Sequence, residues 1–443
     1  MKTLRERLQE YEAEQGHPIR VGLVGAGQMG TGLIGQMELM DGMKAVAVTD
    51  VLPRRAFDAF HEAEVDPALI GEAATAVEAE ALIAAGKRAA LQSTQELLKI
   101  ANLDVIVEST GIPEVGAEVC LGAIQAGKHI VNMNVEADAT IGYYLGQQAK
   151  QAGVVYTLAA GDEPGAIKEL YDFADALGFK IVAVGKGKNN PLNRASNPDS
   201  VAEKARTRKM SPKMLASFED GTKTMVEMTS IANAIGFVPQ VRGAHGPDVN
   251  VKDLAKVFSP TAAGGILESE KIVEYAVGPA PGVFVIITTD REKIIRDLNY
   301  LGLSSGGNGY WSLYRPYHLA NLETPISIAH AAMEGLSTLV PLRPPTAETI
   351  TTAKRDLKAG ERIDALGGFT VYGMIEKASV AAEQNLLPLG LAVGATLVRD
   401  VPMGQALSYD DVQLDENQLI VKLRREQDQM PGTYQAEYAK ASV

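Results

Sequence analysis

The chain has 443 residues, 46% of them hydrophobic and 22% charged, the makeup of a soluble protein of two or three folded domains. Its formal charge of −13 argues against nucleic acid as a partner, because phosphate contacts need a clustered excess of Lys and Arg. No stretch reaches the ~18 consecutive apolar residues of a membrane span. The charged start MKTLRERLQEYEAEQG lacks an apolar signal core, and Cys120 is the single cysteine, so the expected address is the reducing cytoplasm.

Residues 1–16 read as an amphipathic helix, with Leu4, Leu8 and Tyr11 along one side. A strand over 19–24 runs into Gly25-Ala26-Gly27-Gln28-Met29-Gly30 and then a helical run over 29–40. A second strand, 44–49, ends at Asp50, and the Ala- and Glu-rich stretch 54–100 is mostly helical with a short strand near 89–92. Strands over 104–108, 129–133 and 154–158 alternate with helices over 113–125 and 143–151. This rhythm predicts an α/β, doubly wound parallel Rossmann domain over 17–165, behind the N-terminal helix. Past it, strand-like runs at 180–184 and 283–289 sit among Gly-, Asn- and Pro-rich loops, which predicts an α+β substrate and dimerisation domain over 166–343. Pro341-Leu342-Arg343-Pro344-Pro345 then leads into a small β-rich module over 344–443.

The glycine loop follows a strand, opens a helix, and precedes a strand closed by an acid about 20 positions on, which is the context a dinucleotide site requires. Gly25 permits the tight turn, Gly27 lets backbone approach a pyrophosphate, and Gly30 lets helix and strand pack closely. Gln28 and Met29 open the helix whose N-terminus would take the anion. Asp50 suits ribose hydroxyls and NAD, whereas Arg54 and Arg55 suit a 2′-phosphate and NADP. The arginines tilt the expectation to NADPH, with a solvated helix start as their other reading. Ser109, Thr110 and Gly111 leave the carboxyl end of one strand, and Asn132, Asn134 and Glu136 leave the next, beside the expected nicotinamide. A turn role is the alternative for each.

In the substrate half, Lys186, Lys188, Asn189 and Asn190 form the run most loaded with chemistry. Lysines can anchor an anion or polarise a carbonyl, and amides can bond hydroxyls; an exposed turn explains the same letters. Asp220, Lys223 and Glu227 repeat at helical spacing, so they can line a polar cleft or form a solvated salt-bridged face. Asp162 and Glu163 close the last strand of the nucleotide domain. Arg242 and His245, and Arg315, Tyr317 and His318, are further substrate candidates; an arginine on a rigid aromatic platform suits phosphate, or else snorkels from an aromatic core.

IRVGLVGAGQMG, DVIVESTGIPEVGA and GKHIVNMNVEAD resemble the nucleotide-binding half of homoserine dehydrogenase-type oxidoreductases. The tail, from DLKAGE through LLPLG to DVPMG, resembles a SAF module of β-clip fold, while KGKNNP, DGTKTMVEM and RPYHL are not homoserine dehydrogenase signatures. Over essentially the whole chain the combination is similar to the DXR-like SAF-domain oxidoreductases. That resemblance implies NADPH-dependent conversion of 1-deoxy-D-xylulose 5-phosphate to 2-C-methyl-D-erythritol 4-phosphate in isoprenoid biosynthesis. It also implies a divalent cation (Mg²⁺ or Mn²⁺), a phosphorylated sugar as substrate and a homodimer. Asp162, Glu163, Asp220 and Glu227 are the candidate metal ligands, and Lys186, Lys188, Lys223 and Glu227 the candidate catalytic groups. Two other readings stand beside it: a dehydrogenase of the same architecture acting on another polyol phosphate or aldehyde, and a nucleotide-sensing scaffold.

Overall fold

The computed structural model describes residues 2–52, 54–208 and 210–434. They divide into two compact units, Met1–Asp162 with Leu319–Leu342, and Glu163–His318 with Arg343 onward.

The first unit is built on seven strands: β1 (Ile19–Val24), β2 (Met43–Thr49), β3 (Ile70–Glu72), β4 (Arg88–Leu91), β5 (Val105–Glu108), β6 (His129–Asn132) and β7 (Tyr156–Leu158). They pair in the order β3-β4-β2-β1-β5-β6-β7, every pair parallel. Apolar runs buried on both faces are what a parallel sheet covered by helices demands. Ile19, Val21 and Leu23 of β1 meet Leu33, Ile34 and Met37 of the helix Gln28–Glu38 in one fully buried core. Each such side chain contributes about 1.5–3 kcal/mol relative to exposure. The predicted N-terminal helix is present as Leu4–Gln15, capped by Thr3 and Glu6, with Leu8 set into this core.

The segment 319–342 departs from the expected linear boundaries. Its helix Ala320–Glu334 places Ile328 and Ala329 in the core of the first unit. Ala160 N donates to Ser327 Oγ at 2.8 Å, and Thr338 N and Leu339 N both donate to Thr157 Oγ1.

The second unit holds a four-stranded sheet of β8 (Lys180–Lys188), β9 (Ile272–Val277), β10 (Val283–Thr288) and β11 (Tyr310–Arg315), in the order β11-β10-β8-β9. β8 runs four residues past the expected end at 184. It is a central strand whose pairing with β9 continues to Lys188↔Val277, and those partners carry it through a stretch whose glycines read locally as loop. β12 (Ala347–Ala353) and β13 (Val371–Lys377) form an antiparallel pair in the SAF-like region. That region is part of the second unit rather than a separate third body. Among the described residues no helix is long and apolar enough to cross a membrane.

Candidate active site

At the carboxyl edge of the first sheet, Gly25 has φ +97°, a left-handed conformation that glycine adopts without strain. A Cβ on Gly30 would lie 2.1 Å from Gly25 O, so loop and helix approach as closely as only glycine allows. A Cβ on Gly27, the N-cap of the helix, would meet nothing within 4 Å, so the backbone faces open space where a pyrophosphate would approach the helix N-terminus. Met29 is 43% exposed beside it. The residues present therefore fit a dinucleotide.

Two residues expected at the ligand also brace this loop. Asp50 accepts from Ala26 N and Leu52 N, both at 2.9 Å, and Ser109 Oγ donates to Gly25 O at 2.8 Å. Arg55 pairs with Glu62, while Arg54, exposed and left-handed, lays its guanidinium 5.0 Å above the Phe57 ring. Thr110 bonds Glu108, and Gly111 has φ +67° in the turn that follows. Asn132 and Asn134 do not face a crevice, contrary to expectation. Both are fully buried; Asn132 donates to Asn134 O and Tyr156 Oη, while Asn134 caps the helix Val135–Ala152 and donates to Ile112 O. Glu136 follows in the first turn of that helix, nearly buried. Glu108 is fully buried with Oε2 lacking a hydrogen-bond partner; burial pushes its carboxyl up to about 7.

The second unit concentrates its charge around Lys186. Side chains two apart on a strand share a face, so Lys186 and Lys188 project together from β8. The Lys186 ammonium contacts two carboxylates: Glu163, first residue of the helix Glu163–Ala176, and Glu227, in the second turn of the helix Thr222–Ile235. All three are buried. Burial alone would lower the Lys186 pKa, but Glu163 and Glu227 outweigh it and hold the ammonium well above its ordinary range. Glu227 is raised to about 7 by burial and by the charge of Glu163, against the pull of Lys186 and Lys223. Lys223 lies 4.0 Å from Glu227, one turn away on the same helix. His318 Nε2 is 3.4 Å from Glu163, and its Nδ1 donates to Pro281 O at 2.8 Å.

Lys188 is engaged elsewhere. Its ammonium donates to Phe218 O at 2.6 Å, and burial together with the neighbouring Lys186 charge lowers it to about 8. Asp220 is the clearest departure from the predicted constellation. It precedes the helix, accepts from Thr222 N at 2.8 Å and pairs with Lys354 at 2.8 Å, so its carboxylate is already occupied. Asn189 and Asn190 occupy the bend past β8. Arg242 is tied to Glu376 and Gln384. His245 pairs with Glu274, which registers with Gly185 and so lies on the sheet face opposite Lys186. Arg315 pairs with Glu169 at 2.9 Å and stacks on Tyr317 at 4.5 Å. Asp162, next in sequence to Glu163, ends the first unit.

The carboxylate set does not fit a divalent cation. Ligand oxygens of Asp162, Glu163 and Glu227 lie within 4.8 Å of one another, a spacing a metal could bridge, but the Lys186 ammonium already contacts Glu163 and Glu227. Adding a dication there would set it against a buried fixed charge at contact distance, which costs several kcal/mol in a dry site.

Residues 25–159 match the NAD-binding domain of homoserine dehydrogenase, residues 161–324 the family described as Oxidoreductase DRL, catalytic domain, and residues 348–413 the SAF domain. No curated protein matches the chain. Among solved structures it is similar to biliverdin reductase from Synechocystis sp. PCC 6803 in complex with biliverdin and NADP+, at 18% identity and TM-score 0.27, covering 40% of this chain and 49% of that one. It is also similar to a 3-ketoreductase from Actinomadura kijaniata, at 17% identity and TM-score 0.27, covering 40% and 50%. The chain thus spans about half the length of these first structures. By its domains it is an oxidoreductase with an NAD(P)-binding Rossmann unit.

Proposed function

We propose that the protein reduces a carbonyl carbon of a small polar substrate, or oxidises the corresponding hydroxyl, with Lys186 moving the proton. The observation that carries this reading is the buried Lys186 ammonium in contact with Glu163 and Glu227. The nicotinamide, when bound, supplies or accepts the hydride. In the reducing direction Lys186 donates a proton to the carbonyl oxygen as the carbon gains hydride, leaving a hydroxyl and oxidised dinucleotide. Glu227, raised to about 7, then returns a proton to Lys186, so the proton store is matched to neutral pH. Glu163 and His318 keep the ammonium oriented and water-poor. The exposed Arg54 supports NADPH as the donor, since its guanidinium can pair with a 2′-phosphate.

The substrate class this favours is a small aldehyde, ketone or polyol phosphate, converted without a metal because an ammonium stands where a dication would bridge. A second reading, conversion of 1-deoxy-D-xylulose 5-phosphate to 2-C-methyl-D-erythritol 4-phosphate, rests on the sequence resemblance alone. The test is NADPH oxidation by the purified protein against small aldehydes, polyol-phosphate ketones and 1-deoxy-D-xylulose 5-phosphate, with Mn²⁺ or with EDTA. EDTA-resistant turnover of a simple carbonyl supports the first reading; Mn²⁺-dependent turnover of the pentulose phosphate alone supports the second. With whichever substrate is active, Lys186→Met lowers kcat by about 10²–10⁴-fold while dinucleotide fluorescence still reports binding. Wild-type turnover in that variant would remove Lys186 from the chemistry.

A further inference from the structure

The helix Thr222–Ile235, which carries Lys223 and Glu227, is bonded along its length to the SAF-like strands of the same unit. At its start, Asp220 accepts from Thr222 N, Gly373 N of β13 donates to Thr222 Oγ1 at 2.9 Å, and Lys354 reaches Asp220 Oδ2, Ser196 O and Gly368 O. In its middle, the Thr229 and Thr349 hydroxyls lie 2.8 Å apart. At its end, Thr346 N and Ala347 N both donate to Asn233 Oδ1 at 2.9 Å. Lys354 and Asp220 are 3% and 0% exposed at the side chain, so this pair is as dry as the cluster around Lys186.

Such bonding does more than pack a surface. Hydrogen bonds at the start, middle and end of a helix set both its rotation and its position along the axis. Glu227 sits in the second turn, close to the pinned start, where a small shift of the helix changes its separation from Lys186. Generic packing would be met by apolar side chains alone. Here a buried lysine, an aspartate, three hydroxyls and an amide are committed to it, and each is costly to bury without a partner.

We propose that the SAF-like region acts as a positioning element for the acid–base cluster, with Lys354 and Asp220 as positioning residues that hold Glu227 at its contact with Lys186. The inference rests on the function proposed above, and it assigns the SAF-like strands a part in that reaction which is neither substrate binding nor assembly. Glu227 is faced by Lys186 from β8, by Glu163 from its helix and by Lys223 from its own helix. Loosening the helix start weakens the Lys186 contact and moves the titration of Glu227 upward.

The test is a carboxyl titration followed by NMR on the full chain labelled at the glutamate side-chain carboxyl carbon, so no substrate is needed. Glu227→Gln assigns the resonance. Lys354→Met is the probe, Asp220→Asn combined with Lys354→Met leaves no charge unpaired should the single variant fail to fold, and Lys354→Arg is the conservative rescue. Should both probes fail to fold, Thr349→Val, which removes one hydroxyl, carries the same test. The expected result is an upward shift of the Glu227 midpoint by at least about half a unit in the probes, a return towards wild type in Lys354→Arg, and unchanged NADPH binding. An unmoved midpoint in a folded probe overturns the inference. If no resonance lost in Glu227→Gln titrates near neutrality in the wild type, the acid–base reading of the cluster fails instead, which is a separate outcome.

Discussion

Lys186 stays charged in a dry site because two carboxylates from different helices outweigh the cost of burying it. Removing both partners would leave an uncompensated charge, a loss of about 3–5 kcal/mol on the scale of a broken buried pair, whereas removing one leaves Lys186 paired with the other. The pH behaviour follows from Glu227. Its pKa is raised to about 7, so below that value it is protonated and can restore the proton that Lys186 gives up. Carbonyl reduction should therefore be flat at acidic pH and fall about tenfold per unit above pH 7. Oxidation of the alcohol, which needs the proton removed, should rise through the same range. A kcat–pH profile in both directions checks the sign, and Glu227→Gln should abolish the limb in each. A profile with no break between pH 6 and 8, on this scale of ~1 unit, would deny Glu227 the role.

At the scale of elements, the glycine loop and β8 illustrate opposite routes to a functional backbone. The loop is dictated locally: Gly25 takes a left-handed turn, Gly30 lets the helix close on Gly25 O, and Asp50 and Ser109 brace the result. A methyl group on Gly30 would sit 2.1 Å from that oxygen, so the helix must move. Overpacking of this kind costs about 1–3 kcal/mol. Gly30→Ala is accordingly expected to weaken NADPH binding by about tenfold or more, measured by fluorescence titration, with the second unit unaffected. β8, by contrast, reaches Lys188 only because neighbouring strands hold it. Its glycines would otherwise end it near 184.

At the scale of the molecule, chain order and spatial order part company twice. The segment 319–342 returns to the first unit, and the SAF-like region completes the second. A chain ending at Leu342 would keep the first unit whole but strip the Thr222–Ile235 helix of β12, β13 and Lys354. It should still bind NADPH, while the second unit loses its cooperative unfolding transition. Calorimetry on the truncated protein checks this, and a second transition retained at the wild-type temperature would contradict it.

The dinucleotide loop, the parallel sheet and the oxidoreductase domains were legible in the sequence because each is written in neighbouring residues. A strand, a glycine pattern and a helix follow one another within a few turns, and the apolar spacing declares the buried faces. The acid–base cluster was legible only in part. Lys186, Glu163, Glu227 and His318 were all candidates, but the helical spacing grouped Glu227 with Asp220, whereas Glu227 meets Lys186 and Asp220 meets Lys354. Lys186 meets partners 23 and 41 residues away, and Asp220 meets Lys354 across 134. No periodicity links residues so far apart. Likewise Asn132 and Asn134 read as crevice residues by their place at a strand end, and only the packed structure shows their amides turned inward. The sequence by itself determined which backbone would hold a dinucleotide. The tertiary structure decided which carboxylates would surround a lysine, because a charge in a dry interior is kept by whichever opposite charges the whole fold brings to it.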